Sequence, residues 1–525
     1  MNKKRFSPQL TPLATKVGVE PLFGDIHNHC NISYGHGSLT DALKRAKRQL
    51  DFVSVTGHAH WPDMPVDDPS VAHIVAFHVE GFAKLKKNWL PHYETLKQFD
   101  EPGQFTAMPG YEIHSAAFGD LTIVYKELDE PQPLQLADSP AELKQKLHHD
   151  HKGNALAFPH HIGYRVGARG INWQSFDEEL SPFVEMFSMH GCAEQCNTDK
   201  PYLHTMGPID YESTMAYGLA HGKRFGVVGN TDHHSAYPGS YGDGRMSVYV
   251  ASHNRDQLWH GLKQTHTNAL TGANIHLLAA VAGETEGAWF IQGSTLQANG
   301  NTRLHIETLA GGAIDYLDIV KNGRLFKRIT PELSPAPISS NHTLLALELG
   351  WGARGQVHRW EGNLTVTGGQ LEAVEPRFRG GQIVSPLHKK NAANDDDSID
   401  DTEISMTDNR VEFAVSAIGN PNHRTQTSQG FMAQLTVTDQ TQFSLDLNGH
   451  QIEVTAERLF QGSKSGNLGP IDSPAYRILA MPKPESWQWQ GQIDLGPTQA
   501  GDTVYLRLRQ QDGQMAWTSP FFITD

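Results

Sequence analysis

Short apolar strands alternate with helical stretches along residues 23 to 274, and this alternation limits the possible folds more than any other feature of the chain. Ser38-Leu39-Thr40-Asp41 opens a helix with Leu43, Ala46 and Leu50 on one face, and the strand Phe52-Val53-Ser54-Val55-Thr56 follows. Ser139-Pro140-Ala141-Glu142 is a capping box with proline at the first helical position, Gly153 stops that helix, and Ala155-Leu156-Ala157-Phe158 is the next strand. Phe183 to Phe187 and Phe225 to Val228 have the same buried-strand texture. Such alternation predicts a mostly parallel sheet, open or closed into a barrel, with chemistry at the carboxyl ends of the strands.

Past residue 275 helical periodicity fades. Ala288 to Ile291, Thr343 to Leu347, Leu435 to Val437 and Val504 to Leu508 are short strands between Gly, Asn and Pro turns, which predicts an all-β, sandwich-like region. The expected organisation is an N-terminal extension at 1–22, an α/β domain at 23–275 and a β-rich part at 276–525. An acidic stretch at 394–402 divides the last.

No run of about 18 apolar residues offers a membrane span. The basic N-terminus lacks the apolar core of a secretory signal, so a cytoplasmic protein is expected. The formal net charge of −15 argues against nucleic acid and anionic lipid as partners and leaves a small-molecule substrate. Cys30, Cys192 and Cys196 are too few for a disulfide framework or a four-thiolate zinc site.

Histidine is the outlier, with 29 residues, many clustered at the ends of predicted strands. Asp25-Ile26-His27-Asn28-His29 on a strand sets two imidazoles on one side, about 7 Å apart along the backbone, where both can reach one ion. Thr56-Gly57-His58-Ala59-His60 is a second H-x-H, and Gly110-Tyr111-Glu112-Ile113-His114 sets a carboxylate by a turn. Phe158-Pro159-His160-His161, the strand Val184 to His190 with histidine at its end, and Asn230-Thr231-Asp232-His233-His234 complete the set. Buried imidazoles and carboxylates are costly unless paired or metal-bound. A mixture of histidine and carboxylate suits zinc, manganese or iron. His73, His78 and His92, on a long helical segment, and His148, His149 and His151, late in another helix, are left outside this set.

Asp25-x-His27-x-His29, Thr56-Gly57-His58, Gly110-Tyr111-Glu112, His160 after a strand and Asp232-x-His234 resemble, in order, the motifs of the polymerase and histidinol phosphatase (PHP) domain. The resemblance covers roughly the first half of the chain. Gly239-Ser240-Tyr241-Gly242 looks like a PHP-like branch with an appended β region. It implies a distorted (β/α)7 barrel and two to three divalent transition ions. His27, His29, Glu112 and Asp232 would hold one ion. Glu112 would bridge to a second, held also by His160, chosen over the adjacent His161, and by His190. His58 and His234 would take a third, with His36 as a completing ligand. The chain departs from the family at Gly57, where an aspartate is usual, and after the H-x-H, where Tyr34 lies near the expected ligand position and His36 slightly beyond.

The leading functional expectation is a phosphoester hydrolase. Two metals about 3.5–4 Å apart can generate hydroxide at neutral pH and clamp an in-line displacement. Arg165 and Arg169 are candidates to hold a substrate anion, with Arg245 a further one, and His60 or His233 to protonate a leaving group. The same centre would serve an amide or carboxylic ester hydrolase. A metal-dependent binding protein without catalysis is the remaining alternative.

Overall fold

The computed structural model describes residues 9–151, 153–285, 287–331, 341–380, 402–423 and 425–525. The acidic stretch expected to divide the β region lies outside them. The strands of the part that carries the histidine motifs are β1 (Glu20–Asp25), β2 (Phe52–His60), β3 (Thr106–Ile113), β4 (Leu121–Tyr125), β5 (Ala155–Pro159), β6 (Phe183–Ser188), β7 (Gly191–Cys192), β8 (Gly226–Gly229), β9 (Arg245–Val250) and β10 (Thr267–Leu270). β10-β9-β1-β2-β3-β4-β5 run side by side in one sheet, and β7-β6-β8 form a second.

Among β1 to β10, parallel pairing is restricted to β1-β2-β3 and β6-β8. Two helices, α1 (Leu39–Gln49) and α2 (Ala72–Phe99), supply the crossovers that parallel neighbours require. Residues 114–120 are too few for a crossover, so β4 returns antiparallel to β3. β9 likewise runs antiparallel to β1. The sheet is therefore mixed rather than mostly parallel. β5 packs beside β6 and β8 beside β10. Ladder pairing spans neither seam, and among the described residues it closes no ring.

Local chemistry sets the helix starts as the sequence predicts. Ser38 Oγ accepts from the Asp41 N–H at 3.1 Å, and Ser139 Oγ accepts from the Glu142 N–H at 3.3 Å. Leu43, Ala46 and Leu50 are fully buried, as the amphipathic pattern requires. α2 buries Leu85, Trp89, Tyr93 and Leu96 in the same core as β2 and β3. His92, on that face, is a core residue.

The C-terminal half is β-rich, as expected. Two five-stranded antiparallel sheets, centred on His342–Trp351 and Val357–Thr367, share a core that includes Leu345, Leu347, Trp360, Leu364 and Phe443. The large sheet does not stop at residue 275. Met515–Thr518 pairs with β10, and Thr503–Gln510, Phe521–Thr524, Thr295–Gln297, Ile314–Lys321 and Arg324–Ile329 extend the same sheet to 13 strands in all. Among the described residues no helix is long and apolar enough to cross a membrane.

Candidate metal centre

β1 ends at Asp25, so His27 and His29 lie just past the strand rather than on it. Strand-like alternation nonetheless continues. Asn28 O accepts from the Thr56 N–H on one side, while His27 O accepts from Asp232 N–H and His29 N–H donates to His233 O on the other, each at 2.8 Å. The two imidazoles consequently converge, Nε2 to Nε2 at 3.3 Å. Asp25 itself points away and ties the loops together, its carboxylate accepting from Thr231 Oγ at 2.5 Å and the Gly239 N–H at 2.9 Å.

Glu112 stands at the centre. Its Oε2 lies 3.2 Å from His27 Nε2, 3.3 Å from His29 Nε2 and 3.6 Å from His58 Nε2. Its Oε1 lies 3.2 Å from both His160 Nε2 and His114 Nε2. Asp232 closes the other flank, with Oδ1 3.0 Å from His29 Nε2 and Oδ2 2.8 Å from His190 Nε2. His234 stacks near His29, with ring centroids 4.3 Å apart. Asp232 and His161 both have left-handed backbone, φ 53° and 32°. At His161 that turn aims adjacent histidines to different places, His160 at Glu112 and His161 at Asp120, 3.4 Å away.

Eight of the nine expected ligands thus come together through their side chains. The ninth, His36, is half-buried and joins through its backbone, its N–H donating to His234 O at 2.8 Å. The other expected residues divide. Arg169 reaches the site and pairs with Asp120. Arg165 is exposed. His60 leaves the cluster because a bulge at Ala59 sets His58 opposite Glu112 but His60 opposite Ile113. His60 Nε2 instead pairs with Asp138 at 3.1 Å. His233 is buried against Gly380, and its Nδ1 accepts from the Ser235 N–H at 3.1 Å. Arg245 is fully buried and donates to Gly239 O, Asn274 Oδ1 and Gln49 Oε1, a structural role.

Four groups were not singled out from the sequence. His114 was visible beside Glu112, two residues on, and the β-strand period puts both on one face. His161 directly follows His160, and the sequence motif alone does not choose between them. Asp120 and Glu185 match no ligand motif: Asp120, in the loop before β4, meets His114 of the same loop and His161 past β5, and Glu185 on β6 meets His27 past β1. Asp120 Oδ2 lies 3.4 Å from His114 Nδ1. Glu185 Oε2 lies 2.7 Å from His27 Nδ1.

The donor set fits a cation. A carboxylate can only accept, so His27 Nδ1 carries the proton shared with Glu185. The Nε2 lone pair then faces Glu112, Asp232 and His29, and only a proton or a metal ion relieves such a convergence of acceptors. Burial disfavours the charged imidazole of His27, but the Glu185 and Asp232 carboxylates outweigh it and lift its pKa well above the ordinary range. Burial likewise opposes ionisation of Glu112, yet His160, His58 and His114 around it hold its pKa well below the usual value. Burial, joined by the neighbouring His29, depresses His58 strongly and His234 to about 3. Both favour the neutral form that binds metals. His160 Nε2, fully buried, has no hydrogen-bond partner. His29, His58 and His234, His27, His29 and Asp232, and His27, Glu112 and His160 each present ligand atoms within 4.8 Å of one another.

The cluster opens into a cavity of about 150 Å³ lined by Tyr34, Phe77, Met189, His204, Met206 and Arg169 as well as by the ligand-type residues. It can hold metal ions beside a small ligand.

No family model matches the chain. The chain is 23% identical to an uncharacterized protein of Chlamydia muridarum (strain MoPn / Nigg) over 258 residues, 46% of this chain and 40% of that protein. It therefore spans well under half of that relative's length. It is also similar to a solved two-domain protein containing a predicted PHP-like metal-dependent phosphoesterase, from Bacteroides vulgatus ATCC 8482. The TM-score is 0.30 at 13% identity, over 79% of this chain and 95% of that one.

Proposed function

We propose that the chain is a metal-dependent hydrolase of the PHP type that acts on a small phosphoester. The observation that carries this reading is the Glu112 carboxylate, which turns one oxygen to His27 and His29 and the other to His160 and His114. A carboxylate placed between two imidazole sets is the bridge that a two-ion site requires.

On this reading His27, His29, Glu112 and Asp232 hold one ion. Glu112, His160 and His190 hold a second, with Asp120 and His161 as further donors beside His160. His58 and His234, with His36 nearby, take a third. Zinc, manganese and iron suit these donors. The ions would supply Lewis acidity and water activation at neutral pH. The chain's own residues bind and position. Arg169, braced by Asp120 and lying 5.4 Å over the Trp61 ring, presents a guanidinium at the cavity for an anionic oxygen. A cavity of about 150 Å³, the size that accepts benzene, suits a small substrate or the reacting group of a larger one. We read residues 23–275 as a distorted (β/α)7 barrel whose ladder is interrupted at two seams, and residues 276–525 as a β-rich part with a sandwich at its centre.

The test is a screen of phosphomonoesters, phosphodiesters, amides and carboxylic esters on full-length protein reconstituted with each metal. Turnover of phosphoesters that a chelator abolishes supports the proposal. Turnover confined to amides or carboxylic esters overturns the substrate class, and metal binding with no turnover of any of them overturns the enzymatic reading.

A further inference from the structure

The histidines around Glu112 are not backed alike. His58 Nδ1 meets the Ser33 hydroxyl at 3.0 Å, His160 Nδ1 meets the Thr122 hydroxyl at 2.9 Å, and His190 Nδ1 meets the Tyr164 hydroxyl. A hydroxyl donates or accepts, so these partners leave either ring tautomer open. His234 Nδ1 donates to a neutral carbonyl, Asp232 O, at 2.8 Å. His27 alone among these five is backed by a charge, the Glu185 carboxylate at 2.7 Å, and both groups are fully buried.

Glu185 is itself held. Its Oε2 also accepts from Asn230 Nδ2, and its Oε1 accepts from the His161 N–H, both at 3.1 Å. β6 carries it into place and the loop after β8 carries Asn230, so parallel pairing of β6 with β8 sets the carboxylate's position. A carboxylate that takes the proton from the far ring nitrogen fixes the tautomer, orients the ring and makes the near nitrogen a stronger donor.

We infer that Glu185 is the positioning residue that makes the ion held through His27 the tightest-bound and first-loaded of the centre. This rests on the two-ion reading above. The ions held through His160 and His58, backed by hydroxyls, load later.

Competition between the full-length protein and a chromophoric chelator for zinc, then for manganese, reads the affinity classes directly and without turnover. Glu185→Gln should weaken the tightest class by about 10–100-fold and leave the weaker classes in place. Thr122→Val should do the reverse, weakening a later class and sparing the first. If Glu185→Gln fails to fold, Glu185→Asp carries the test. It keeps the charge but withdraws it from His27, and the same class should weaken. Unchanged affinity of the tightest class in the folded variant overturns the role of Glu185 while leaving the metal centre standing. Failure of the wild-type protein to bind either ion overturns the two-ion reading and this inference with it.

Discussion

The indole N–H of Trp517 donates to the Glu194 carboxylate at 2.8 Å, joining the last strands of the chain to the half that carries the histidine cluster. Glu194 is buried and also accepts from Tyr505 Oη at 2.8 Å and from Arg507 at 3.0 Å. All three donors lie beyond residue 500. Ending the chain at 275 would strip that carboxylate of all three donors, uncover the apolar core that Tyr505, Met515 and Trp517 share with Cys192 and Ala193, and expose the edge of β10, which Met515–Thr518 covers. A 1–275 fragment should therefore aggregate or unfold without cooperativity. Trp517→Phe, which removes one donor, should cost about 1–3 kcal/mol. A soluble fragment with a sharp thermal transition would contradict this.

Glu112→Gln and Asp232→Asn each replace a carboxylate that faces several imidazoles. Each should lower the number of bound transition ions, measured by elemental analysis of protein purified without chelator, and abolish phosphoester turnover. Full metal content in both folded variants would place the centre elsewhere.

The two candidate anion-binding arginines should behave differently. Arg169 lines the cavity, whereas Arg165 is exposed. Arg169→Ala should weaken inhibition by vanadate by about tenfold, the worth of a charged hydrogen bond, and Arg165→Ala should leave it unchanged. Equal inhibition constants for wild type and Arg169→Ala would remove Arg169 from substrate binding.

His92 sits in the core beside Trp89 and Tyr93 with neither ring nitrogen hydrogen-bonded. Burial depresses its pKa to about 3. The unfolded chain protonates this group near 6.5, so its contribution to stability is intact above that pH and is lost as pH falls toward the folded value. Between pH 7 and pH 5 the loss amounts to about 2 kcal/mol. His92→Leu should show a correspondingly shallower fall in melting temperature over that interval, and parallel curves for variant and wild type would refute the assignment.

Much of the centre was legible because its signals are local. A period of two brings His27 and His29 together even though β1 ends before them, and the strand-end position of Glu112, His160 and Asp232 follows from strand–helix alternation. His60 shows the limit. It shares an H-x-H with His58, but one bulged residue turns it away, and a bulge is a property of the strand pair rather than of the motif.

The amino-acid order by itself determined which residue types stand at the strand ends, where the helices start, and that the second half is β-rich, because capping, period and turn chemistry act over a few residues. Only the tertiary structure decided the rest. Glu185 on β6 reaches His27, and Asp120 in the loop before β4 reaches His161. The crossovers α1 and α2 allow parallel pairing while the short link after β3 forbids it. The final strands complete the sheet that begins at β1. Each of these depends on which distant backbones share hydrogen bonds, and no local pattern encodes that choice.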